Sequence, residues 1–335
     1  MTILKDIRFS VLDLSPIIEG GTISQSFQNT LDLAQHVEKW GYHRFWLAEH
    51  HNMPFIGSSA TSVLISYVAN GTSTIRVGSG GIMLPNHSPL VIAEQFGTLE
   101  SLFPGRIDLG LGRAPGTDQL TAQALRRNSG DDGHNFPQQL TELRAYFDPS
   151  ILSKPLPVRA FPGHGLKIPI WLLGSSGFSA QLAGQLGLPF AFASHFSPKY
   201  TIPALEIYRN AFQPSDVLDE PYAIVCLNVI AAETDEEANY LSTSLQQQFL
   251  HLIRRTEKPI QPPVDNLDEM ITVYEKNALE EQLGTSIFGS KETVEEKLTA
   301  FLEDTEADEI MVNGTIYDHE KRLRSFELIS EIFSS

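Results

Sequence analysis

The stretch RFWLAEHHNM (residues 44–53) joins a short apolar run to a carboxylate and two histidines, and it decides how the rest of the chain is interpreted. Residues 44–48 have the aromatic and apolar character of a buried strand. Glu49, His50 and His51 follow it directly. In proteins with parallel strands, functional side chains collect at the carboxyl ends of those strands, so this cluster predicts one edge of a site.

Strands of the same kind recur along the chain and alternate with longer helical patterns. The predicted strands are residues 7–14, 44–48, 75–78, 107–110, 170–173, 190–193, 222–231 and 309–312. Such alternation predicts an α/β fold with a parallel sheet. Eight alternations predict a closed (β/α)8 TIM barrel with insertions rather than an open doubly wound sheet. No GxGxxG motif follows the first strand, which argues against a dinucleotide-binding fold.

The helical patterns have recognisable ends. Ser24 or Ser26 is predicted to cap a helix that runs to Trp40, where Gly41 stops it. Further helices are predicted at residues 136–147 and 318–333.

Composition limits the classes of protein and of partner. With 335 residues, the chain is expected to form a single domain, residues 1–335, because barrels with insertions reach this length. The formal charge of -17 argues against nucleic acid or an anionic membrane as a partner, since phosphates would be repelled. Cys226, the one cysteine, lies in an apolar run and is expected to be inert core packing. Without a basic leader or an apolar run of about 18 residues, a cytoplasmic location is expected.

Two stretches interrupt the alternation, at residues 114–167 and 252–289. Both are too long for ordinary connections between a strand and a helix. On an α/β scaffold such insertions commonly form lids or contact a substrate, although a decorative insertion remains an alternative.

The residues that follow the predicted strands form the candidate rim of the barrel. This set is richer in polar residues and glycine than core packing requires. Its members are Asp13, Glu49, His50, His51, Ser79, Gly80, Gly81, Gly112, Arg113, Gly174, Ser175, Ser176, Gly177, Ser194, His195, Phe196, Asn313 and Gly314.

The two adjacent histidines, His50 and His51, are not expected to bind one metal ion together. Consecutive residues leaving a strand point to opposite sides, so at most one of His50 and His51 is expected to face the cavity. A metal site would need distant ligands such as Asp13, His87 or His195, and no metal is therefore predicted. A neutral histidine with a pKa near 6.5 suits proton transfer, while structural hydrogen bonding remains the alternative.

Two glycine-rich stretches are candidate ligand sites. In VGSGGIM, Ser79, Gly80 and Gly81 follow the third strand, where glycine lets the backbone approach a flat ligand, or else forms a bulge or tight turn. In GSSGF, residues 174–178 follow the fifth strand and lead into a helix, where free N–H groups favour a phosphate; an ordinary helix cap is the alternative. Arg113, at the end of the preceding strand, could supply the countercharge.

Several stretches, in this order, resemble the bacterial luciferase-like family of flavin-dependent monooxygenases. They are WLAEHHN, VGSGGIMLPNHSPLVIAEQFGTLESLFPGRIDLGLGRAPG, PIWLLGSSGFSAQLAGQLGLPFAFASHF and DEIMVNG. The resemblance implies a barrel that binds reduced FMN, supplied by a separate flavin reductase. It also implies that O2 reacts at C4a of the flavin to give a peroxide, which oxidises a small, apolar organic substrate.

The resemblance also assigns roles to individual positions. It implies that His50 is the catalytic acid or base, and that a non-proline cis peptide against the flavin ring maps to Gly80 and Gly81. Arg113 and the loop after the fifth strand map to the phosphate site. Ser79 completes the implied FMN contacts of the third strand, and those of the loop are Gly174, Ser175, Ser176, Gly177 and Phe178. The insertion at 252–289 would be the family's mobile lid, and homodimers would form through the helices after strands two and three, where residues 60–69 are apolar.

One departure from the family and several alternatives stay open. Gly112 stands where luciferases have a reactive cysteine, which puts light emission in doubt. Hydride transfer with the deazaflavin F420, a flavin-binding protein without catalysis and a metal hydrolase are the alternatives. Phe55, Ile56, Met83, Phe196 and Phe288 are candidates for an apolar cavity, although each is also consistent with core packing.

Overall fold

Eight parallel strands close into a barrel in the computed structural model, which describes residues 4–126, 133–154 and 156–334. The order of pairing is β6-β5-β4-β3-β2-β1-β9-β7, and pairing of β6 with β7 closes the barrel. The barrel strands are β1 Arg8–Asp13, β2 Arg44–Leu47, β3 Arg76–Met83, β4 Ile107–Gly112, β5 Ile170–Gly174, β6 Phe190–Ala193, β7 Ala223–Ala232 and β9 Glu309–Asn313. The predicted (β/α)8 fold and its eight strands are confirmed.

Eleven helices of the described residues surround or extend the barrel. They are α1 Ile23–Lys39, α2 Thr61–Gly71, α3 Pro89–Leu102, α4 Gln119–Arg126, α5 Phe136–Phe147, α6 Gly177–Gln185, α7 Thr201–Ala211, α8 Asp235–Arg254, α9 Val273–Gln282, α10 Lys291–Thr305 and α11 His319–Phe333. In these described parts of the chain, no helix is both long and apolar enough to cross a membrane.

The cap predicted for α1 is wrong. The helix begins at Ile23, so Ser24 and Ser26 lie inside it, and Thr22 is the cap: its hydroxyl oxygen accepts a hydrogen bond from the backbone N–H of Gln25 at 3.1 Å. Ser26 donates instead to the carbonyl oxygen of Ser15 at 2.6 Å. Ser26 therefore attaches α1 to the loop after β1 and does not cap the helix.

Both insertions contain secondary structure. Residues 114–167 include α4 and α5, while residues 252–289 include the end of α8, all of α9 and the start of strand β8, Ile287–Ser290. The sequence did not predict β8, which pairs parallel to β7 from Val229 onward. Ile260 exchanges two backbone hydrogen bonds with the loop after β1, to Ile17 and from Glu19, each 2.8 Å long. The second insertion is thus fastened to the rim of the barrel at both of its ends.

The barrel interior changes character along its axis. Buried apolar side chains that include Leu12, Trp46 and Cys226 fill the middle. At the amino-terminal end, the guanidinium of Arg44 is held by Glu309 at 2.8 Å and by Asp108 at 2.7 Å. Burial raises the pKa of the Cys226 thiol, as expected for an inert core cysteine. Because charge closes one end of the barrel, the open end at the carboxyl termini of the strands is the candidate site.

Candidate functional site

Two imidazoles face the same aromatic ring at the mouth of the barrel. Trp46 and Ala48 point into the barrel interior, so alternation along β2 directs His50 inward as well. The ring centroid of His50 lies 6.3 Å from that of Phe196, and the ring centroid of His195 lies 4.6 Å from it. Phe196 is 44% exposed and therefore borders the open mouth.

The hydrogen bond of His50 fixes which nitrogen is free. Its Nδ1 lies 3.1 Å from the carbonyl oxygen of Gly116. A carbonyl oxygen only accepts, so Nδ1 carries the proton and donates it. Burial lowers the pKa of His50 below its ordinary value, with the hydrogen bond to Gly116 acting against this. The neutral ring therefore has a lone pair on Nε2, the atom available for proton transfer.

His51 has a different partner, as the alternation along the chain predicts. Its Nε2 donates to the carboxylate of Glu49 at 2.9 Å, and Nε2 of His87 donates to the same carboxylate at 2.9 Å. The backbone N–H of Met83 also donates to Glu49, at 2.9 Å. Burial alone would raise the pKa of Glu49, but the hydrogen bonds from His51 and His87 lower it to about 2. Glu49 thus joins the end of β2 to the end of β3.

The residues that could have formed a metal site are engaged elsewhere. Asp13 pairs with Arg322 at 2.9 Å, and His87 pairs with Glu49. Across residues 4–126, 133–154 and 156–334, no group of three or more His, Cys, Asp or Glu side chains has an arrangement that could hold a metal ion.

Ser79, Gly80 and Gly81 lie within β3 rather than after it as predicted, and the two glycines bring backbone without side chains close to the mouth. The peptide bond between Gly80 and Gly81 is cis, as the resemblance implied. A Cβ atom added at Gly80 would lie 2.8 Å from Cδ1 of Leu12, and one added at Gly81 would lie 2.8 Å from the carbonyl oxygen of Gly110. Ser79 is fully buried, and its hydroxyl donates to the same carbonyl oxygen of Gly110 at 2.8 Å. The side chain of Ser79 therefore holds β3 to β4 and is not available to a ligand.

Arg113 and the amino terminus of α6 lie next to each other. The guanidinium carbon of Arg113 lies 4.2 Å from the ring centroid of Phe178, the second residue of α6. Arg113 makes no hydrogen bond or ion pair to another described residue. Ser176 is the N-cap residue, yet its hydroxyl makes no capping hydrogen bond. A cation and the free N–H groups of a helix terminus therefore converge, as a phosphate site requires.

The other residues predicted for this loop complete that cradle. Ser175 is exposed beside Ser176. A Cβ atom at Gly174 would lie 2.8 Å from Cβ of Ser179, and one at Gly177 would lie 2.9 Å from Cδ1 of Ile207. These glycines let the loop pack tightly against α6 and α7, which leaves the two serine hydroxyls as its exposed polar groups.

Two contributors to the site escaped the sequence analysis. His195 stood in the candidate rim but was not predicted as a functional residue, and Gly116 was part of an insertion. Burial, with a smaller contribution from nearby His50, lowers the pKa of His195 to about 4. The sequence signal for His195 was its place two residues beyond a predicted strand. Gly116 offered no comparable signal, because its role is a backbone carbonyl.

The residues expected to line an apolar cavity lie in different parts of the structure. Phe55 and Ile56 pack with Ile260 in a buried cluster under the second insertion. Phe288 packs into a separate cluster with residues of α8. Phe196 is the member that contacts His50.

A (β/α)8 barrel that carries an imidazole, an arginine and a helix amino terminus at the carboxyl ends of its strands has the architecture of a barrel enzyme. The chain belongs to the luciferase-like monooxygenase family, whose profile matches residues 7–309. It is 61% identical to the Bacillus subtilis protein YvbT, over 99% of this chain and 98% of that protein. It is 55% identical to a luciferase-like monooxygenase of Escherichia coli, over 98% and 97% of the two chains.

Other relatives are named for a reaction or have known structures. An N-acetyl-S-alkylcysteine monooxygenase of Bacillus subtilis is 34% identical over 97% of this chain and 98% of its own. The crystal structure of apo-MsnO8 is similar with a TM-score of 0.87 and 35% identity, covering 98% of both chains. A Baeyer-Villiger monooxygenase from Pseudomonas putida in complex with FMN shares the fold at 20% identity, with a TM-score of 0.72 and 97% of both chains covered.

Proposed function

We propose that the chain is an FMN-dependent monooxygenase of the two-component type, which takes reduced FMN from a separate flavin reductase and oxidises a small organic substrate with O2. One observation carries the proposal: the imidazole of His50 and the cradle at Arg113 both lie at the carboxyl ends of the barrel strands. Membership of a family of monooxygenases supports the class of reaction.

The donor set of the cradle suits the phosphate of FMN. A dianion would be held by the guanidinium of Arg113, the hydroxyls of Ser175 and Ser176, and the first N–H groups of α6. The exposed position of both serines and the lack of another partner for Arg113 among the described residues support this assignment. The proposed phosphate contacts are Arg113, Gly174, Ser175, Ser176, Gly177 and Phe178.

The end of β3 suits the flat ring of the flavin. With no Cβ atoms, Gly80 and Gly81 let a planar ligand lie against the backbone. Ser79, which is fully buried, would support this surface indirectly through the hydrogen bond of its hydroxyl to Gly110. These two glycines would therefore hold the ring against the backbone of β3.

His50 would accept and donate a proton at Nε2. When bound, reduced FMN supplies the electrons with which one oxygen atom enters the substrate and the other leaves as water. Because Nδ1 of His50 is engaged with Gly116, the proton is accepted and returned at Nε2. The lowered pKa keeps this ring neutral and able to accept a proton near pH 7. The second insertion, proposed as a lid, would exclude water during the reaction.

Titration with two reduced cofactors tests the proposal against hydride transfer with F420. The fold is also that of an F420-dependent secondary alcohol dehydrogenase, at 14% identity and a TM-score of 0.67 over 98% of this chain and 99% of that one. The net charge of -17 is unfavourable for the anionic tail of F420. Under anaerobic conditions, we expect tighter binding of reduced FMN than of reduced F420. Preferential binding of F420 would contradict the proposal.

Mixing the reduced complex with O2 then tests for catalysis. The protein is expected to change the rate at which FMN is reoxidised relative to free reduced FMN, as followed by flavin absorbance. His50→Ala should bind FMN normally but lose the effect of the protein on reoxidation. His36→Ala, on the outer helix α1, is the matched control and should behave like the wild type. Identical reoxidation of free and bound FMN would indicate a flavin-binding protein without catalysis.

We further propose a homodimer built on α2 and α3. Val63 and Tyr67 lie four residues apart on α2 and are 66% and 41% exposed, and Val91 on α3 is 44% exposed. Residues four apart share a helix face, so these side chains form an apolar surface suited to a second copy of the chain.

A further inference from the structure

Three polar side chains follow one another on adjacent strands at the floor of the mouth. β6 pairs with β7 at Ala193 and Cys226, and β7 pairs with β9 at Asn228 and Asn313. Cys226 points into the barrel interior, so alternation directs Asn228 inward too. Met311 is likewise interior, which directs Asn313 inward. The backbone N–H of His195 donates to the carbonyl oxygen of Cys226 at 3.0 Å, which brings His195 beside this row.

The two asparagines form a directed chain of hydrogen bonds. Nδ2 of Asn313 donates to Oδ1 of Asn228 at 3.0 Å, and Nδ2 of Asn228 donates to Oγ of Ser286 at 3.1 Å. Oδ1 of Asn313 has no partner among the described residues, and it is not sealed from solvent. Asn228 is fully buried, whereas Asn313 is 6% exposed. The chain therefore ends in a hydrogen-bond acceptor that faces the mouth.

His195 offers a second acceptor. Its Nδ1 lies 3.3 Å from the carbonyl oxygen of Cys226, so Nδ1 is the donor and the neutral ring keeps a lone pair on Nε2. With a pKa lowered to about 4 by burial, the ring is neutral near pH 7. Gln282, at the end of α9, donates to the carbonyl oxygens of His195 and Phe196 at 3.3 and 3.0 Å. The second insertion thus holds the loop that carries this acceptor.

We propose that His195 and Asn313 form a substrate subsite that recognises an uncharged hydrogen-bond donor, either an amide N–H or a hydroxyl, and that the buried Asn228 positions Asn313. The inference rests on the proposed function, because it concerns the substrate of that reaction. A carboxylate is disfavoured, since no Lys or Arg of the described residues is bonded to these three side chains. A pure hydrocarbon is disfavoured too, because it would leave buried acceptors unpaired. The substrate is therefore expected to carry a hydrogen-bond donor at this position.

Matched pairs of small ligands test the subsite in the FMN-loaded protein. N-butylacetamide has an amide N–H, and N-butyl-N-methylacetamide lacks it; butan-1-ol and butyl methyl ether form a second pair. Affinities can be measured by ligand-observed NMR titration. We expect each donor to bind about tenfold or more tightly than its methylated partner, the discrimination typical of a buried hydrogen bond. Equal affinities within both pairs would overturn the subsite.

Substitutions at these positions test whether the side chains cause the preference for a donor ligand over its methylated partner. Asn313→Leu and, independently, His195→Phe should each reduce the preference for the donor. Asn239→Leu, at an exposed position on α8, is the control and should bind like the wild type. A preference that survives in both Asn313→Leu and His195→Phe would also overturn the subsite. Failure of the wild type to bind FMN would instead contradict the proposed function, because FMN binding is measured separately from these ligands.

Discussion

Nδ1 of His50 donates a hydrogen bond to the carbonyl oxygen of Gly116 at 3.1 Å, across 66 positions of the sequence. The histidine follows β2, whereas Gly116 lies in the first insertion and has a φ of 66°. The insertion therefore orients the imidazole and selects its tautomer. Under the proposed function, the first insertion would thereby set which nitrogen of His50 takes part in proton transfer.

Gly116→Ala should weaken this orientation. Its positive φ disfavours a side chain, and the new Cβ would lie 2.7 Å from the carbonyl oxygen of Glu49. We expect the free energy of unfolding to fall by about 2 to 3 kcal/mol and the pH profile of flavin reoxidation to shift, as measured by urea unfolding and stopped-flow absorbance.

Gly105→Ala is the matched control for that substitution. Gly105 has a φ of 75°, but a Cβ there would meet nothing within 4 Å. It should cost about 1 kcal/mol and leave the pH profile unchanged. If the two variants behave alike, Gly116 does not orient His50.

Glu49→Gln should give a loss of stability that depends on pH. The pKa of Glu49 is about 2 in the folded protein, below the ordinary value of 4.5. A lowered pKa contributes stability that is fully present above about 4.5 and is lost as the pH falls toward 2. The variant should be about 2 to 3 kcal/mol less stable at pH 7, and the difference should shrink between pH 4.5 and pH 2.

Urea unfolding at several pH values checks this prediction. Glu303→Gln, at an exposed position on α10, serves as the control and should stay within about 0.5 kcal/mol of the wild type. If the difference in free energy of unfolding between Glu49→Gln and the wild type is constant across the acid range, the charge of the carboxylate is not what joins β2 to β3.

Gly80→Ala and Gly81→Ala should differ in cost although they are neighbours. The Cβ at Gly80 would lie 2.8 Å from Cδ1 of Leu12 and 3.1 Å from Cβ of Trp46, which are both side-chain atoms. The Cβ at Gly81 would press on the backbone carbonyl of Gly110, which is part of β4. We expect losses of about 1 kcal/mol and about 3 kcal/mol in thermal unfolding, respectively. The opposite order would show that the backbone of β4 is more adaptable than its packing indicates.

Val63→Lys should shift the proposed dimer toward monomers. A charge placed at the centre of the apolar surface on α2 would be buried without a partner in the dimer. Light scattering coupled to size-exclusion chromatography measures the mass directly. Val217→Lys is the matched control, because Val217 is also exposed, at 51%, but lies in the connection between α7 and β7. An unchanged mass in Val63→Lys would exclude this face as the interface.

The barrel was predictable because its signals are local. Alternating strand and helix patterns, with polar residues at strand ends, predicted all eight barrel strands and put His50, Arg113 and residues 174–178 on one rim. Those positions depend on the direction of each strand and on its alternation, and both can be read from a few neighbouring residues.

Features that depend on distant contacts were not predictable. β8 is four residues long and forms only because β7 extends beyond the barrel wall. Thr22 caps α1 in place of the serines because the loop after β1 engages Ser26. The free nitrogen of His50 is set by a carbonyl of the first insertion, and Phe288 was expected near a cavity but packs against α8. Each outcome is decided by what the chain meets after folding.

Arg113→Ala should separate recognition of the phosphate from recognition of the ring. The guanidinium lies over Phe178 at 4.2 Å and is the cation of the proposed phosphate site, so its removal should weaken FMN binding by about 10- to 100-fold. Riboflavin has the same ring without the phosphate and should bind almost as it does to the wild type. Titrations followed by flavin fluorescence measure both affinities, and Arg8→Ala, on the other end of the barrel, is the charge-matched control. Equal loss of affinity for FMN and riboflavin would place the phosphate elsewhere, whereas a loss confined to FMN would assign the phosphate to Arg113 and α6.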